Sequence, residues 1–390
     1  SPSFASYALV ADSEFWFGSS ESANGPIFSN VGIHLDGPNS DVAGSANATY
    51  KPSGSYGGDG NNHNGVWCSS SVTTPVNCNT RNKSNWIYPA PAVDFNKVST
   101  SLCTMKKVAL ADYASTAAIA SQANACTQTP ATQTNAYIPQ LSATFSTTKG
   151  YLIKLNASGT YDLLKVNSEN DTLTPYTSAL NTTAMSTNNA VPPSGVIFVE
   201  DNVWVLTPTN FHGRVTISAG RLATTNNADI VIAGNVLYST KNGSDAIGLV
   251  AEDSIMVAPY APPTTSSFNY EIDGALLAQS GSVVYGENQN SNGQISYRSS
   301  TSNCARGWVG ANQTLTFYGS IATRQPWTWN QTLGGACGDA VRDSSNGRYW
   351  SGIERTATNY DYNLEYAPPP SYPLTSGYNI LSWREILTHP

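Results

Sequence analysis

A loose internal repeat is the feature of this sequence that most constrains its fold. Each copy has two or three apolar residues, a short polar turn and a second apolar pair. The copies begin at Ile27, Ile197, Val231, Leu249 and Leu276. A recurring unit of this kind indicates a stack of similar supersecondary elements, each of which buries its apolar face against its neighbours.

The spacing of the copies predicts a parallel β-solenoid. Small or β-branched residues take one equivalent position in each copy, at Val199, Ala219, Ala233, Ala251 and Ala278. The steps between them are 20, 14, 18 and 27 residues, which is the length of one coil with variable loops. Small residues suit a corner at which successive coils stack closely. Asn-Gly pairs at positions 64, 242 and 292 leave a sandwich of hairpins as the alternative.

The repeat divides the chain into four segments, and the predicted fold class is mainly β. We expect the first solenoid coils in residues 1–45 and further coils in residues 146–325. Between them, residues 46–145 read as a disulfide-stapled insertion with one helix, over residues 105–126, because strong helix formers run there without Gly or Pro. Residues 326–390 are aromatic and Pro-rich, and are expected to form a C-terminal cap ending in a candidate last strand over residues 378–383.

The six cysteines indicate disulfides and an oxidising compartment. Their spacing contains no close pair of the kind that zinc sites use, and their number is even. Six cysteines allow fifteen pairings. Nearness in sequence favours Cys68–Cys78, Cys103–Cys126 and Cys304–Cys337. The chain is therefore expected outside the cytoplasm.

Several short strings resemble the large minor pilins and pilin-like proteins of type IV pilus systems, including those associated with competence. The strings are GPIFSN at 25–30, IAGNV at 232–236, AIGLVA at 246–251, IDGALLA at 272–278, FYGSIA at 317–322, and YDYNL at 360–364 before a Pro-Pro pair. The resemblance covers residues 25–37 and about 196–373.

This resemblance implies a β-solenoid inserted into a pilin fold, with a pilin-like C-terminal segment. It also implies display on a pilus at the cell surface, assembly through the periplasm, and other pilins as partners. The implied role is the capture of double-stranded DNA at the pilus tip for uptake in natural competence. The hydrophobic N-terminal helix of pilins is missing from these residues, so a membrane is expected as a partner only through such a missing helix.

The candidate DNA-binding residues come from a segment that combines positive charge with aromatic rings. The whole chain has a net charge of -7, so DNA must be met by a local patch. The arginine–tryptophan segment, residues 298–355, has six arginines against three acidic residues. Its candidates are Arg298, Arg306, Arg324, Arg342, Arg348, Arg355, Trp308, Trp327, Trp329 and Trp350. Lys106 and Lys107, on the expected helix, form a second candidate pair.

The same segment has a structural interpretation, in which arginines and tryptophans stack to cover the open end of the solenoid. Two other functions are also open. A surface adhesin would use the aromatic residues to bind glycans or solid surfaces, without the salt dependence of phosphate contacts. A polysaccharide lyase or hydrolase would need clustered carboxylates.

Carboxylate pairs occur at Glu200 with Asp201, Glu252 with Asp253, and Glu271 with Asp273. The first two pairs occupy the turn of the repeat, where acidic residues fit for conformational reasons. The nucleophile-elbow, Walker and dinucleotide motifs are missing from the sequence. We therefore expect a non-enzyme with no catalytic residues.

No metal or cofactor is expected. The four histidines, His34, His63, His212 and His389, are scattered and lack the spacing of a metal site.

Overall fold

The computed structural model describes residues 3–18, 21–69, 78, 81, 83–111, 126–141, 149–263, 267–286 and 304–375. Strands and helices are numbered along the chain. The N-terminal strands are β1 (Leu9–Ala11), β2 (Phe15–Phe17), β3 (Ile27–Ser29), β4 (Ile33–Leu35), β5 (Ala43–Ser45), β6 (Thr49–Tyr50), β7 (His63–Asn64), β8 (Val66–Trp67) and β9 (Trp86–Ile87).

The central strands are β10 (Tyr137–Ile138), β11 (Gly150–Leu155), β12 (Thr160–Glu169), β13 (Leu180–Ala190), β14 (Val196–Val199), β15 (Val203–Leu206), β16 (Arg214–Ala219), β17 (Ile230–Ile232), β18 (Ala246–Ala251), β19 (Ile255–Val257), β20 (Phe268–Ala278) and β21 (Val283–Tyr285). The C-terminal strands are β22 (Gly307–Trp308), β23 (Gln313–Thr323), β24 (Asn330–Leu333), β25 (Val341–Arg342), β26 (Tyr349–Ile353) and β27 (Arg355–Tyr360). The helices are α1 (Lys97–Ala111), α2 (Tyr176–Ala179) and α3 (Asn363–Tyr366), with short 3₁₀ turns at Phe4–Ser6, Gly54–Tyr56 and Lys83–Asn85.

Two long sheets dominate the fold. Sheet A has eleven strands in the order β10-β14-β16-β18-β20-β23-β1-β3-β5-β9, with β27 also paired to β23. Sheet B has seven strands in the order β13-β12-β11-β15-β17-β19-β21. Sheet C contains β2-β4-β8, sheet D contains β22, β24, β25 and β26, and β6 pairs with β7. The predicted mainly β fold with parallel sheets is confirmed, and the hairpin-sandwich alternative is wrong, because every described strand pair in sheet A is parallel.

From β14 to β21 the chain alternates between the two sheets, so that each strand pairs with the one two places later. In sheet A this aligns one row of residues across the strands. The row is Val199, Ala219, Ala251, Ala278, Thr323, Ala11, Ser29 and Ser45. The expected small residues at this position are therefore present.

Ala233 was wrongly placed in this row. It follows β17 in sheet B, where its amide donates to the carbonyl of Val205. The strand before it is as apolar as a sheet A strand, so the sequence alone did not separate the two sheets. Without Ala233, the steps from Val199 along the central rows are 20, 32, 27 and 45 residues.

The N-terminal strands extend sheet A beyond β23 rather than starting it. Leu9 pairs with Ile321 on one side and with Ile27 on the other. Residues 46–145, expected as an insertion, contribute β8 to sheet C and β9 and β10 to the two ends of sheet A. One continuous sheet therefore contains strands from the N-terminal, central and C-terminal parts of the chain.

Helix α1 packs on the outer face of sheet A. Its buried residues Val98, Leu102 and Met105 lie in one apolar cluster with Phe198 and Leu277 of the sheet. Burying each such side chain contributes about 1.5–3 kcal/mol. The helix begins before the expected position and is described to Ala111; residues 112–125 of the prediction lie outside the described residues.

A ladder of polar side chains holds one corner between the sheets. The Asn202 side-chain oxygen accepts from the Asp229 amide at 2.9 Å, and Asp229 accepts from the Ser254 amide at 3.0 Å. Ser254 in turn accepts from the Ser282 amide at 3.2 Å. These buried bonds satisfy backbone donors at turns where the chain leaves one sheet for the other.

Three disulfides join Cys68 to Cys78, Cys103 to Cys126 and Cys304 to Cys337. They indicate an oxidising, extracytoplasmic environment. None of the described helices has the length and apolar character needed to cross a membrane. The expected last strand over residues 378–383 lies outside the described residues.

Candidate functional site

Sheet D carries most of the described part of the arginine–tryptophan segment. β26 is its central strand, parallel to β22 and antiparallel to β24 and β25. The Cys304–Cys337 disulfide ties the approach to β22 to the approach to β25. A tight turn over residues 343–348 then joins β25 to β26, closed by the Asp343 amide donating to the Arg348 carbonyl at 2.8 Å.

Three exposed arginines surround this turn. Arg342 pairs with Tyr349 across β25 and β26, and Arg348 immediately precedes that tyrosine. Arg355 starts β27 and lies close enough to Asp343 to help lower the pKa of that carboxyl. Within the described residues, none of these three guanidinium groups makes a hydrogen bond or an ion pair. We call Arg342, Arg348 and Arg355 the three free arginines.

The other described arginines are held by the protein itself. Arg214 donates to three backbone carbonyls, those of Gly243, Ala367 and Pro368, and Arg221 is buried against Asp201. Arg81 donates to the Asp36 carbonyl. Two candidates belong to this group. Arg306 donates to Thr174 at 2.8 Å and lies over the Trp308 ring, and Arg324 donates to Asn96 at 3.0 Å and faces Asp12.

Two of the candidate tryptophans are core residues. Trp308 and Trp329 are each only 3% exposed. Trp308 donates to the Tyr285 hydroxyl at 2.8 Å, and Trp329 packs against Phe317. Neither can stack on a nucleotide, so their prediction as DNA contacts is wrong; they belong to the apolar core instead. Trp327 and Trp350 are half-buried.

The prediction that Lys106 contacts DNA is also wrong. Its side chain is 0% exposed and forms an ion pair with Glu200 beneath α1. Lys106 lies on the buried face of α1 together with Met105 and Leu102. The sequence alone does not show which face of the helix is buried. Lys107 is half-buried, and Arg298 lies outside the described residues.

Two acidic side chains reduce the net positive charge at the turn. Hydrogen bonds from the Ser345 backbone and side chain lower the pKa of Asp343, so this carboxyl is ionised. Burial raises the pKa of Glu354, and the charge of Asp343 raises it further. The three free arginines therefore outnumber the two acidic groups beside them, and the surface is weakly cationic.

The carboxylate pairs considered for catalysis serve the fold. Glu200 and Asp201 are 2% and 3% exposed, and they pair with Lys106 and Arg221. Glu252 accepts from the amides of Arg221 and Ala228. These contacts match the turn interpretation of the repeat.

The third pair faces a lysine. Lys241 contacts Glu271 at 2.5 Å and the buried Asp273 at 2.9 Å. Burial raises the pKa of Asp273 to about 6, although the hydrogen bond from the Tyr238 amide and the nearby Lys241 oppose this.

The histidines do not gather into a metal centre. Among the described residues there is no group of three or more His, Cys, Asp and Glu side chains that could hold a metal ion. His34 is buried between the rings of Trp16 and Trp67 and contacts Asp36. His63 pairs with Asp59, and His212 with Asp245. His389 lies outside the described residues.

Comparison of the chain with protein-family models, curated proteins and solved structures finds no match.

Proposed function

We propose that this chain is a minor-pilin-like component of a type IV pilus that binds double-stranded DNA at the cell surface for uptake. The observation that carries the DNA assignment is the set of three free arginines around the 343–348 turn. Exposed guanidinium groups that make no hydrogen bond or ion pair with the described residues are available for phosphates, which they contact in a bidentate manner. The pilus assignment rests on the sequence strings described above.

The architecture that we propose for display is a β-solenoid. The alternation of strands between sheets A and B and the single row of small residues across sheet A support successive coils of one stack. In this arrangement sheet D lies against β23 and caps that side of the stack. Most residues of the 343–348 turn are exposed, so the arginines beside it can reach the phosphates of a duplex.

The size of the arginine set fixes the expected salt dependence. Three phosphate contacts on duplex DNA give a slope of log K against log salt of about -2.7. Affinity should then fall about 40-fold between 50 and 200 mM salt. The two neighbouring acidic groups and the net charge of -7 keep the affinity weak.

The test is binding of the purified chain to a labelled duplex across a salt series. The variant changes Arg342, Arg348 and Arg355 together to Ala. Its control changes Lys51, Lys83 and Lys97 together to Ala, which removes the same charge from exposed positions elsewhere. We expect the arginine variant to lose binding and its salt slope, and the lysine variant to keep both.

Equal loss in both variants would show that overall charge, not this site, governs binding. Absence of binding at low salt would refute the DNA assignment. Binding to glycans or surfaces without a salt dependence would favour the adhesin alternative instead, and polysaccharide turnover would favour a lyase or hydrolase. Partnership with pilins is tested separately, by looking for the chain in fibres sheared from producing cells; its absence there would refute the pilus assignment.

A further inference from the structure

A small cleft opens beside the cap, between the turn that follows β2 and the strand β27. Its cavity volume is about 100 Å³. The cleft is lined by Phe17, Glu21, Ser22, Asn24, Trp327 and residues 356–358. These residues come from three distant parts of the sequence, so no short sequence motif predicts the cleft. None of the three free arginines lines it.

One wall of the cleft is an open strand edge. The amide of Asp361, the residue after β27, donates a hydrogen bond to the Gly319 carbonyl of β23. The amide of Tyr360, the last residue of β27, points away from β23 and donates to the Asn24 carbonyl. Because successive backbone groups of a strand point to opposite sides, the amides of Thr356 and Thr358 share the side of Tyr360. No described group of the chain accepts a hydrogen bond from these two amides.

The open edge is bounded at both ends. The Tyr360 amide is taken by Asn24, and the Glu354 amide, on the same side, is taken by the Trp308 carbonyl at 3.0 Å. Only two outward amides are left between these contacts. An edge this short cannot pair with an added peptide strand, which needs several consecutive backbone hydrogen bonds.

The opposite wall supplies a carboxyl group. Glu21 accepts a hydrogen bond from the Gly18 amide at 2.7 Å through Oε2. Its second oxygen, Oε1, has no partner within the described part of the chain. Burial raises the pKa of Glu21, and the Gly18 hydrogen bond only partly opposes that rise. Beside it, the Asn24 amide group donates to Ser22 at 3.1 Å.

An indole closes the site. Trp327 is half-buried, with its ring 5.7 Å from that of Phe17 and 6.1 Å from that of Trp329. These contacts fix the orientation of the ring and leave part of it at the cleft surface. A fixed aromatic surface beside hydrogen-bonding groups suits a ligand with one apolar face and a polar rim.

We propose that this cleft binds a single neutral sugar unit of a glycan, with its ring against Trp327 and its hydroxyls on Glu21 and on the open amides of Thr356 and Thr358. None of the described lining residues has a cationic side chain, so an anionic ligand would find no counter-charge among them. The volume is below that of ordinary small-molecule pockets, which restricts the ligand to one ring. This site is separate from the DNA site and does not depend on it.

The experiment uses the methyl glycosides of glucose, galactose, mannose, N-acetylglucosamine and N-acetylgalactosamine as probes. Saturation-transfer NMR detects binding, and tryptophan fluorescence gives the affinity. For one ring we expect a Kd of about 1 mM with at least one probe. Glu21→Gln keeps an acceptor for the Gly18 amide but changes the carboxyl, and it should weaken binding at least about 5-fold.

Two further variants separate the site from its surroundings. Trp327→Leu should abolish binding, whereas Trp16→Leu, at a tryptophan that is 39% exposed outside the cleft, should not change it. Thr356→Pro removes one open amide without touching the ladder to β23, so it tests the edge even if Trp327→Leu fails to fold. The triple arginine variant should bind the sugar normally.

The proposal is overturned if no probe gives saturation transfer at about 10 mM, ten times the expected Kd. It is also overturned if binding survives unchanged in Glu21→Gln and Thr356→Pro. Binding of a short threonine peptide in place of every glycoside would show that the open edge takes a backbone rather than a sugar.

Discussion

The buried pair of Lys106 and Glu200 allows a stringent test of how α1 is attached to sheet A. The two side chains are 0% and 2% exposed, and they form an ion pair with each other. The ring of Phe198 lies beside the pair, with its centroid 5.9 Å from the lysine Nζ. Burial raises the pKa of Glu200, while Lys106 lowers it, so the carboxylate depends on its partner.

We expect Lys106→Met alone to lower the free energy of unfolding by about 3–5 kcal/mol, because it leaves a buried carboxyl without its cation. Glu200→Leu alone should lower the free energy of unfolding by a similar amount, about 3–5 kcal/mol, since it leaves a buried ammonium group without its anion. The double variant should lie within about 1 kcal/mol of the parent, because two apolar side chains replace two charges that were costly to bury. The resulting coupling energy is at least about 5 kcal/mol, above the usual range for neighbouring residues.

The measurement is chemical denaturation followed by circular dichroism, with the denaturant slope compared across the four proteins to verify that each unfolds the same surface. Lys107→Met is the matched control, because the adjacent lysine is only half-buried and makes no described ion pair. It should change stability by less than about 0.5 kcal/mol. A double variant as unstable as the sum of the two single variants would refute the reasoning, since it would mean that the charges do not compensate each other.

Three further predictions concern titration, packing and the polar ladder. The pKa of Asp273 in the folded protein, about 6, lies above its ordinary value of 3.8. The stability contributed by its protonated carboxyl is therefore present at low pH and is lost as pH rises from about 4 to 6. Asp273→Asn should reduce the change in the free energy of unfolding measured across that pH window. Gly319→Ala should prevent folding, seen as loss of soluble protein and of β signal in circular dichroism, because a Cβ there would lie 1.8 Å from the Gly274 oxygen at a φ of +155°. Asp229→Ala should lower the free energy of thermal or urea unfolding by about 1–3 kcal/mol, because it leaves the buried Ser254 amide without an acceptor. Asp229→Asn should cost less, because its side-chain oxygen still accepts that hydrogen bond. Equal effects of the two variants would contradict the ladder.

The repeat predicted the sheet A strands because small residues are needed at one packed row. Val199, Ala219, Ala251 and Ala278 were all placed correctly in that row. The pairing of β1 with β23 could not be read in the same way. It joins residues more than 300 positions apart, and short apolar strands carry no mark of which edge they extend.

The site was only partly predictable, because residue type does not reveal whether a side chain already has a partner. Arg306 and Arg342 look equivalent in the sequence, yet the first is held by Thr174 and Trp308 whereas the second is free. Lys106 and Lys107 are adjacent, and the rotation of one residue along a helix places the first in the core. Composition located the cationic segment, and only tertiary contacts separate its structural arginines from those available to a ligand.

Strand β23 places the two proposed sites on one framework. Its first half, from Thr314 to Gly319, pairs with β27, and its last three residues, from Ile321, pair with β1. On its other side it pairs with β20 along all eleven residues. β27 carries Arg355 at its start and the open amides of the cleft one and three residues later, at Thr356 and Thr358. The strand that sets the position of the arginine turn therefore also sets the edge of the cleft. If both proposals hold, the two ligands would be kept at a separation set by this shared framework.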